Sequence, residues 1–268
     1  MARANRHHLP GYVWHITHRC HKKEFLLKHS LDKKRWRAWL FEAKKRYGLC
    51  VLNYTIMSNH VHLIAAETHQ NTVSRSMQLV EGQTAQEYNN RKTRLGAFWS
   101  DRYQGTAVDT KRHLLHCLLY VDFNPVRARL CSHPAQYGFS GLQEIISPPR
   151  RYSIIDRNAL ARCCGFQEWE KFRDAYLEKI ETAVQTTADQ DDLCIKKRDP
   201  RWTESIAVGS ERFIERFQGD LGDRSGKRSI SVFEDFNVLR EPSSGVYNES
   251  PNRLRGDNFY YWDNADSQ

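Results

Sequence analysis

The sequence predicts an α+β fold: a ferredoxin-like antiparallel sheet with helices on one face, followed by a mainly helical C-terminal extension. Two observations carry this. Through residue 108, apolar β-branched runs and helical periodicities alternate as strand, helix, strand, strand, helix, strand, an order that suits a sheet with helical crossovers. The two central strands meet at Ser58-Asn59, a junction short enough to make them an antiparallel hairpin. A chain of 268 residues, 40% hydrophobic, can bury a sizeable core as one domain with extensions or as two small ones. The expected division is residues 1–147 and 148–268, the second part serving as an accessory to binding or as structural support.

GYVWHIT at 11–17 reads as the first strand, after a Pro10-Gly11 turn, and runs into the basic cluster HRCHKK. Ser30 is a candidate cap for a helix whose Trp36, Trp39, Leu40, Ala43 and Tyr47 fall at helical spacing, with Gly48 as its stop. The other face of that helix carries Lys33, Lys34, Arg37, Lys44 and Lys45, read as a solvated face in preference to a phosphate-binding one. The hairpin NYTIMSNHVHLIAA follows, then a helix over 73–91 with Gly82 as its weak point. GAFWSDRYQGTAV at 96–108 supplies a further strand, and a helix from Thr110 runs through Tyr120 to Asn124-Pro125. Beyond residue 150, Phe166, Trp169, Phe172, Tyr176, Ile180 and Ala183 trace an amphipathic helix, TTADQDD reads as an acidic linker, and Ser210 caps a short helix. The polar stretch DRSGKRS and the aromatic cluster FYYW at 259–262 come last.

The net charge of +9 is unevenly spread: residues 1–150 hold 23 Lys/Arg against 10 Asp/Glu, and the remainder 18 against 22. A basic first half means either a solvated surface or a polyanion partner such as nucleic acid. Seven cysteines without a CxxC pair suit reduced thiols rather than a disulfide framework. The absence of an apolar run of membrane-spanning length, and an N-terminal MARANRHH without a hydrophobic core, lead to the expectation of a soluble, cytoplasmic protein with no membrane partner.

His60 and His62 lie two apart in the second hairpin strand, so both rings project from one face. Such a pair can grip one metal ion; it can also be a pair of satisfied core histidines. Tyr120 and Asn124, four apart, share a helix face near a Pro125 that ends or kinks the helix. That face can belong to a site or be an exposed tyrosine beside an Asn-Pro turn. If a third polar ligand joins the histidines, two neutral nitrogens and an amide oxygen make a site for Mg²⁺ or Mn²⁺ completed by phosphate and water. The tyrosine phenol, with a reference pKa of about 10, becomes a competent nucleophile toward phosphorus only beside a cation or base. No GxxxxGK[ST] nucleotide loop is present, and none is needed if a covalent phosphotyrosine conserves the bond energy.

Four pieces, LPGYVWHITHRC, YTIMSNHVHLI, FWSDRY and YVDFNPVRARL, stand in this order within residues 8–140. Together they resemble the single-tyrosine HUH transposases, and within them the REP-associated tyrosine transposases of bacteria. The resemblance implies a nuclease that cuts single-stranded DNA near a hairpin, leaving a 5′-phosphotyrosine and a free 3′-hydroxyl. By position it implies His60 and His62 as metal ligands, Tyr120 as nucleophile and Asn124 as third ligand, with Mg²⁺ or Mn²⁺ as cofactor. Candidate DNA contacts are Arg19, Trp99, Arg102 and Arg127. The implied partners are single-stranded or hairpin DNA and, in some members, a second copy of the chain in a homodimer; the implied location is the bacterial nucleoid. Cys20 and Arg129 depart from glycines usual in the family and bear on loop shape. Two other readings stand beside this one. An amidohydrolase-type metal hydrolase is disfavoured because no histidine follows His133. A catalytically silent nucleic-acid binder derived from a transposase would bind without cutting.

Overall fold

In a computed structural model, residues 8–189, 198–222, 228–233 and 236–240 are described. Strands β1 (Val13–Arg19), β2 (Cys50–Ile56), β3 (His60–Ala66) and β4 (Gln104–Val108) alternate with helices α1 (Ser30–Tyr47) and α2 (Thr72–Lys92) in the predicted order. They pair as β2-β3-β1-β4, antiparallel throughout, which is the ferredoxin-like sheet. The hairpin register places Thr55 opposite His62 and Ile56 opposite Val61.

Helix α1 begins at Ser30 itself, with His29 in extended conformation as its cap residue, so the serine lies one position inside the end assigned to it. Gly48 closes the helix at φ 69°, a left-handed conformation that costs glycine little, and its N–H bonds the Lys44 carbonyl. Trp36, Leu40 and Ala43 of α1 pack with Val73, Met77 and Val80 of α2 on one face of the sheet. Helix α2 is held at its start by the buried Glu67 carboxylate, which accepts from the Thr72 N–H at 2.6 Å and the Val73 N–H at 3.2 Å, a negative charge where the helix presents its positive end. The cationic face of α1 is solvated only in part. Lys33 is buried and donates to the Tyr137 hydroxyl at 2.8 Å, and Lys44 reaches the carbonyls of Ser153 and Ile154.

The helices are not confined to one face. Helix α3 (Arg112–Asp122), followed after Phe123 by the single turn α4 (Asn124–Arg127), crosses the opposite face, where Leu114, Cys117, Leu118 and Val121 meet Val13, Leu52 and Ile64. α5 (Leu142–Ile146), α6 (Arg157–Cys163) and α7 (Trp169–Asp189) join the same layer through Leu142, Leu160, Phe172 and Tyr176. The reason lies in the strands. Every residue of β2, and of β3 up to Ala65, is buried on whichever side it points, so both faces must be covered.

The extension is mainly helical and also lengthens the sheet. α8 (Pro200–Glu204) leads to β5 (Ala207–Gly209), which runs parallel to β4; α9 (Glu211–Leu221) follows, capped by Ser210 as expected, and the β6 (Ser229–Phe233) and β7 (Phe236–Arg240) hairpin completes seven strands in the order β2-β3-β1-β4-β5-β7-β6. Thr186–Asp189, expected in an acidic linker, form the last turn of α7; the rest of that linker, most of DRSGKRS and the FYYW cluster lie outside the described residues. No helix among them is long and apolar enough to cross a membrane.

Candidate nuclease site

The site is built where α3 and α4 cross β3. Alternation along β3 turns Val61, Leu63 and Ala65 into the α1/α2 core, while Ile64 joins the α3 layer and fixes the facing of His60 and His62. The two imidazoles stand with ring centroids 5.0 Å apart and planes at 81°. Across the sheet His60 pairs with Arg19, and His62 lies between Thr17 and Thr55. Tyr120 is in the last turn of α3. Phe123, at φ −81° and ψ 0°, separates this helix from α4, and Asn124 opens α4 directly before Pro125, so the proline ends one helix and starts the next.

The Asn124 carboxamide sits between the two histidines. Its Nδ2 donates to His62 Nε2 at 2.7 Å, and its Oδ1 is 3.3 Å from His60 Nε2. His60 Nδ1 lies 2.6 Å from Asn59 Oδ1, and since that oxygen can only accept, the ring hydrogen is on Nδ1 and the Nε2 lone pair faces Asn124. Two acceptors therefore face each other at 3.3 Å. Two ligands set at right angles about 2.1 Å from a cation are about 3 Å apart, so this donor set, two neutral imidazole nitrogens and a carboxamide oxygen, fits a small divalent cation. Burial, then the Arg19 charge, push the His60 pKa down to about 3; burial, then His60 and His15, hold His62 well below its usual value. Both rings are thus neutral, as ligands must be.

Tyr120 is buried at 6% exposure, its ring edge-on to His62 with centroids 5.8 Å apart. The Arg127 guanidinium lies 4.3 Å over the same ring, Nη2 donates to the Tyr120 carbonyl, and Nη1 is buried with no hydrogen-bond partner among the described residues. Burial raises the Tyr120 pKa, while Arg127 and Arg198 lower it. Behind the tyrosine, Asp122 accepts from Asn53 Nδ2 at 3.0 Å and from the Tyr176 hydroxyl at 2.6 Å, which ties α3 to β2 and α7.

Of the residues singled out in the sequence, His60, His62, Tyr120, Asn124 and Arg127 come together, and Arg19 is near enough to His60 and Tyr120 to act on their charges. Trp99 is half-buried, stacked on His18 at 4.2 Å with Nε1 donating to the Glu81 carbonyl. Arg102 is exposed. Two neighbours were not singled out in the sequence. His15 on β1 bonds His62, and Trp202 of α8 lies against Tyr120 with centroids 6.3 Å apart. His15 stands within the LPGYVWHITHRC piece but has no ligand partner at strand spacing, and Trp202 belongs to no motif.

Sheet order and side-chain arrangement define a ferredoxin-like domain with an HxH pair on its β3 strand. The family model described as "Transposase IS200 like" matches residues 9–123 of the chain. Among solved structures, the chain is similar to a REP-associated tyrosine transposase bound to a REP hairpin, at 17% identity and TM-score 0.48, covering 55% of this chain and 87% of that one. It is also similar to a protein of Deinococcus radiodurans R1 described as a transposase, at 17% identity and TM-score 0.31, covering 40% and 85%. No curated protein shows significant similarity to the chain.

Proposed function

We propose that the protein is a DNA strand-cleaving and strand-joining transposase that acts on single-stranded, hairpin-associated DNA through a covalent 5′-phosphotyrosine on Tyr120. His60, His62 and Asn124 would hold Mg²⁺ or Mn²⁺. The observation that carries the reading is the Asn124 carboxamide, set between two neutral imidazole Nε2 atoms on one helix–strand crossing with Tyr120. The association with hairpins rests on the motif resemblance alone.

A bound divalent cation supplies Lewis-acid polarisation of the scissile phosphate and offsets charge on the attacking and leaving oxygens. The chain's own groups do the rest. Tyr120 Oη forms the new bond to phosphorus as the bond to the 3′-oxygen breaks, and that oxygen leaves as a 3′-hydroxyl once protonated. Arg127, over the phenol ring, favours the phenolate and offers an unused Nη1 to phosphate. The phosphotyrosine retains the diester energy, so a 3′-hydroxyl of another strand can reverse the step without a nucleotide cofactor. Arg19, Arg102 and the basic first half would follow the DNA backbone; Trp99, already stacked on His18, would contribute at most one face of its ring.

The test is Tyr120→Phe on an oligonucleotide carrying the hairpin repeat nearest the gene, with Mn²⁺ or Mg²⁺. The wild-type chain should form a protein–DNA adduct that survives denaturation, and the variant none. An adduct in the variant removes Tyr120 from the role. Binding by the wild-type chain without cleavage favours the silent binder.

A further inference from the structure

His15 is fully buried on β1, beside His62 on β3, with the two rings nearly parallel at 7°. Its nitrogens have different partners. Nδ1 is 2.8 Å from the Trp202 carbonyl oxygen, and Nε2 is 2.9 Å from His62 Nδ1. A carbonyl oxygen can only accept, so the Nδ1 of His15 carries a hydrogen. On the far side of His62, Nε2 accepts the Asn124 Nδ2–H at 2.7 Å, so that nitrogen carries the lone pair and the ring hydrogen of His62 is on Nδ1. The His62 Nδ1–H therefore donates to His15 Nε2, and the hydrogen bonds from Asn124 through both rings to the Trp202 carbonyl run in one direction.

The carbonyl that starts this chain is itself held in place. Thr106, the register partner of His15 on β4, donates its hydroxyl to the Ser205 carbonyl at 2.7 Å, and its oxygen lies 3.3 Å from that of Trp202. Ile206 N–H bonds Leu239 on β7, and β5 pairs with β4 one residue later. The anchor belongs to residues 200–206, beyond the stretch matched by the family model.

We propose that His15 is a positioning residue: anchored on the Trp202 carbonyl, it fixes His62 as the Nδ1–H tautomer and so presents the Nε2 lone pair to a metal ion. On this account the extension completes the site by way of one backbone oxygen. What the relay does for metal affinity rests on the function proposed above; the tautomer does not.

The test uses the full-length, metal-free protein labelled with ¹⁵N-histidine, in which long-range ¹H–¹⁵N spectra distinguish Nδ1–H from Nε2–H rings. His62 should be Nδ1–H in the wild-type chain. In His15→Asn, whose amide can still bond Trp202 but cannot reach His62, the Nε2–H form should appear. In His15→Gln, whose amide oxygen reaches the Nε2 position, Nδ1–H should return. Mn²⁺ titrations should show affinity about 10- to 100-fold weaker in the Asn variant, recovered to within about threefold in the Gln variant, with metal-free melting temperatures of the two variants alike. An Nε2–H His62 in the wild type, or an unchanged His62 tautomer in the Asn variant, overturns the proposal, and the wild-type spectrum decides even if a variant does not fold. Failure of the wild-type chain to bind Mn²⁺ overturns the metal reading and leaves the tautomer result to stand or fall by itself.

Discussion

The two sides of β3 are made by the same seven residues and do different work. Val61, Leu63 and Ala65 sit in an apolar layer against α1 and α2, where each contact is replaceable by another of similar shape. On the other side His60 and His62 meet an asparagine, a tyrosine and a third histidine, and each imidazole nitrogen of the pair faces a particular polar atom. Burial is nearly equal on both sides, 5% and 2% exposure for the histidines and 0% for the apolar three. Equal burial thus says little about role. What separates the sides is the cost of an error, a graded loss of packing on one and a discrete loss of a lone pair or a donor on the other.

The sharpest break in that comparison comes from adjacent residues. His62→Ala should weaken Mn²⁺ binding by at least about a hundredfold, the upper range for losing even an outer partner of a ligand, and should also cost the metal-free chain about 1–3 kcal/mol, because the buried His15 Nε2 and Asn124 Nδ2 lose their partner. Leu63→Ala should spare the metal, costing about 2–5 kcal/mol of folding stability in denaturant titrations while the folded fraction binds Mn²⁺ within about threefold of wild type. If folded Leu63→Ala loses metal affinity as His62→Ala does, the two faces are not separable and the comparison fails.

A smaller effect probes the polar side from above. Arg127 lies over the Tyr120 ring and opposes the upward pull of burial on its pKa. Removing the cation as Arg127→Gln leaves burial opposed by Arg198 alone, so the phenol pKa rises and the pH at which cleavage becomes fast moves upward. A rise of one unit corresponds to about tenfold slower cleavage at neutral pH. A pH–rate profile of single-turnover adduct formation checks this, and an unmoved limb would mean that Arg127 serves phosphate rather than the phenol.

How much of this was readable in advance depends on how far each feature reaches along the chain. The HxH pair and the Tyr120–Asn124 spacing are local, set by the two-residue repeat of a strand and the turn of a helix, and Pro125 marks the helix break by its own chemistry. Element order to β4 was likewise carried by local periodicity. The covering of both faces was not, because an apolar run does not say which layers will meet it. Strand β5 has three residues and no alternation to detect, so the extension reads as helical although it lengthens the sheet. His15 is the extreme case: its partners are 47 and 187 residues away, and one of them is a backbone carbonyl without any side-chain signature.

Arg102 offers the mildest test, because it is exposed and remote in kind from both buried layers. If the basic first half tracks DNA through its phosphates, Arg102→Ala should weaken binding of any single strand by a similar small factor, and the slope of log K against log salt should fall by about one. Melting temperature, Mn²⁺ affinity and the pH–rate profile should not move. Fluorescence anisotropy on one hairpin oligonucleotide and one unrelated strand, across a salt series, measures both quantities. A loss confined to the hairpin would instead place Arg102 in recognition of its shape or sequence. That outcome would make the surface, like the polar side of β3, a place where particular partners matter.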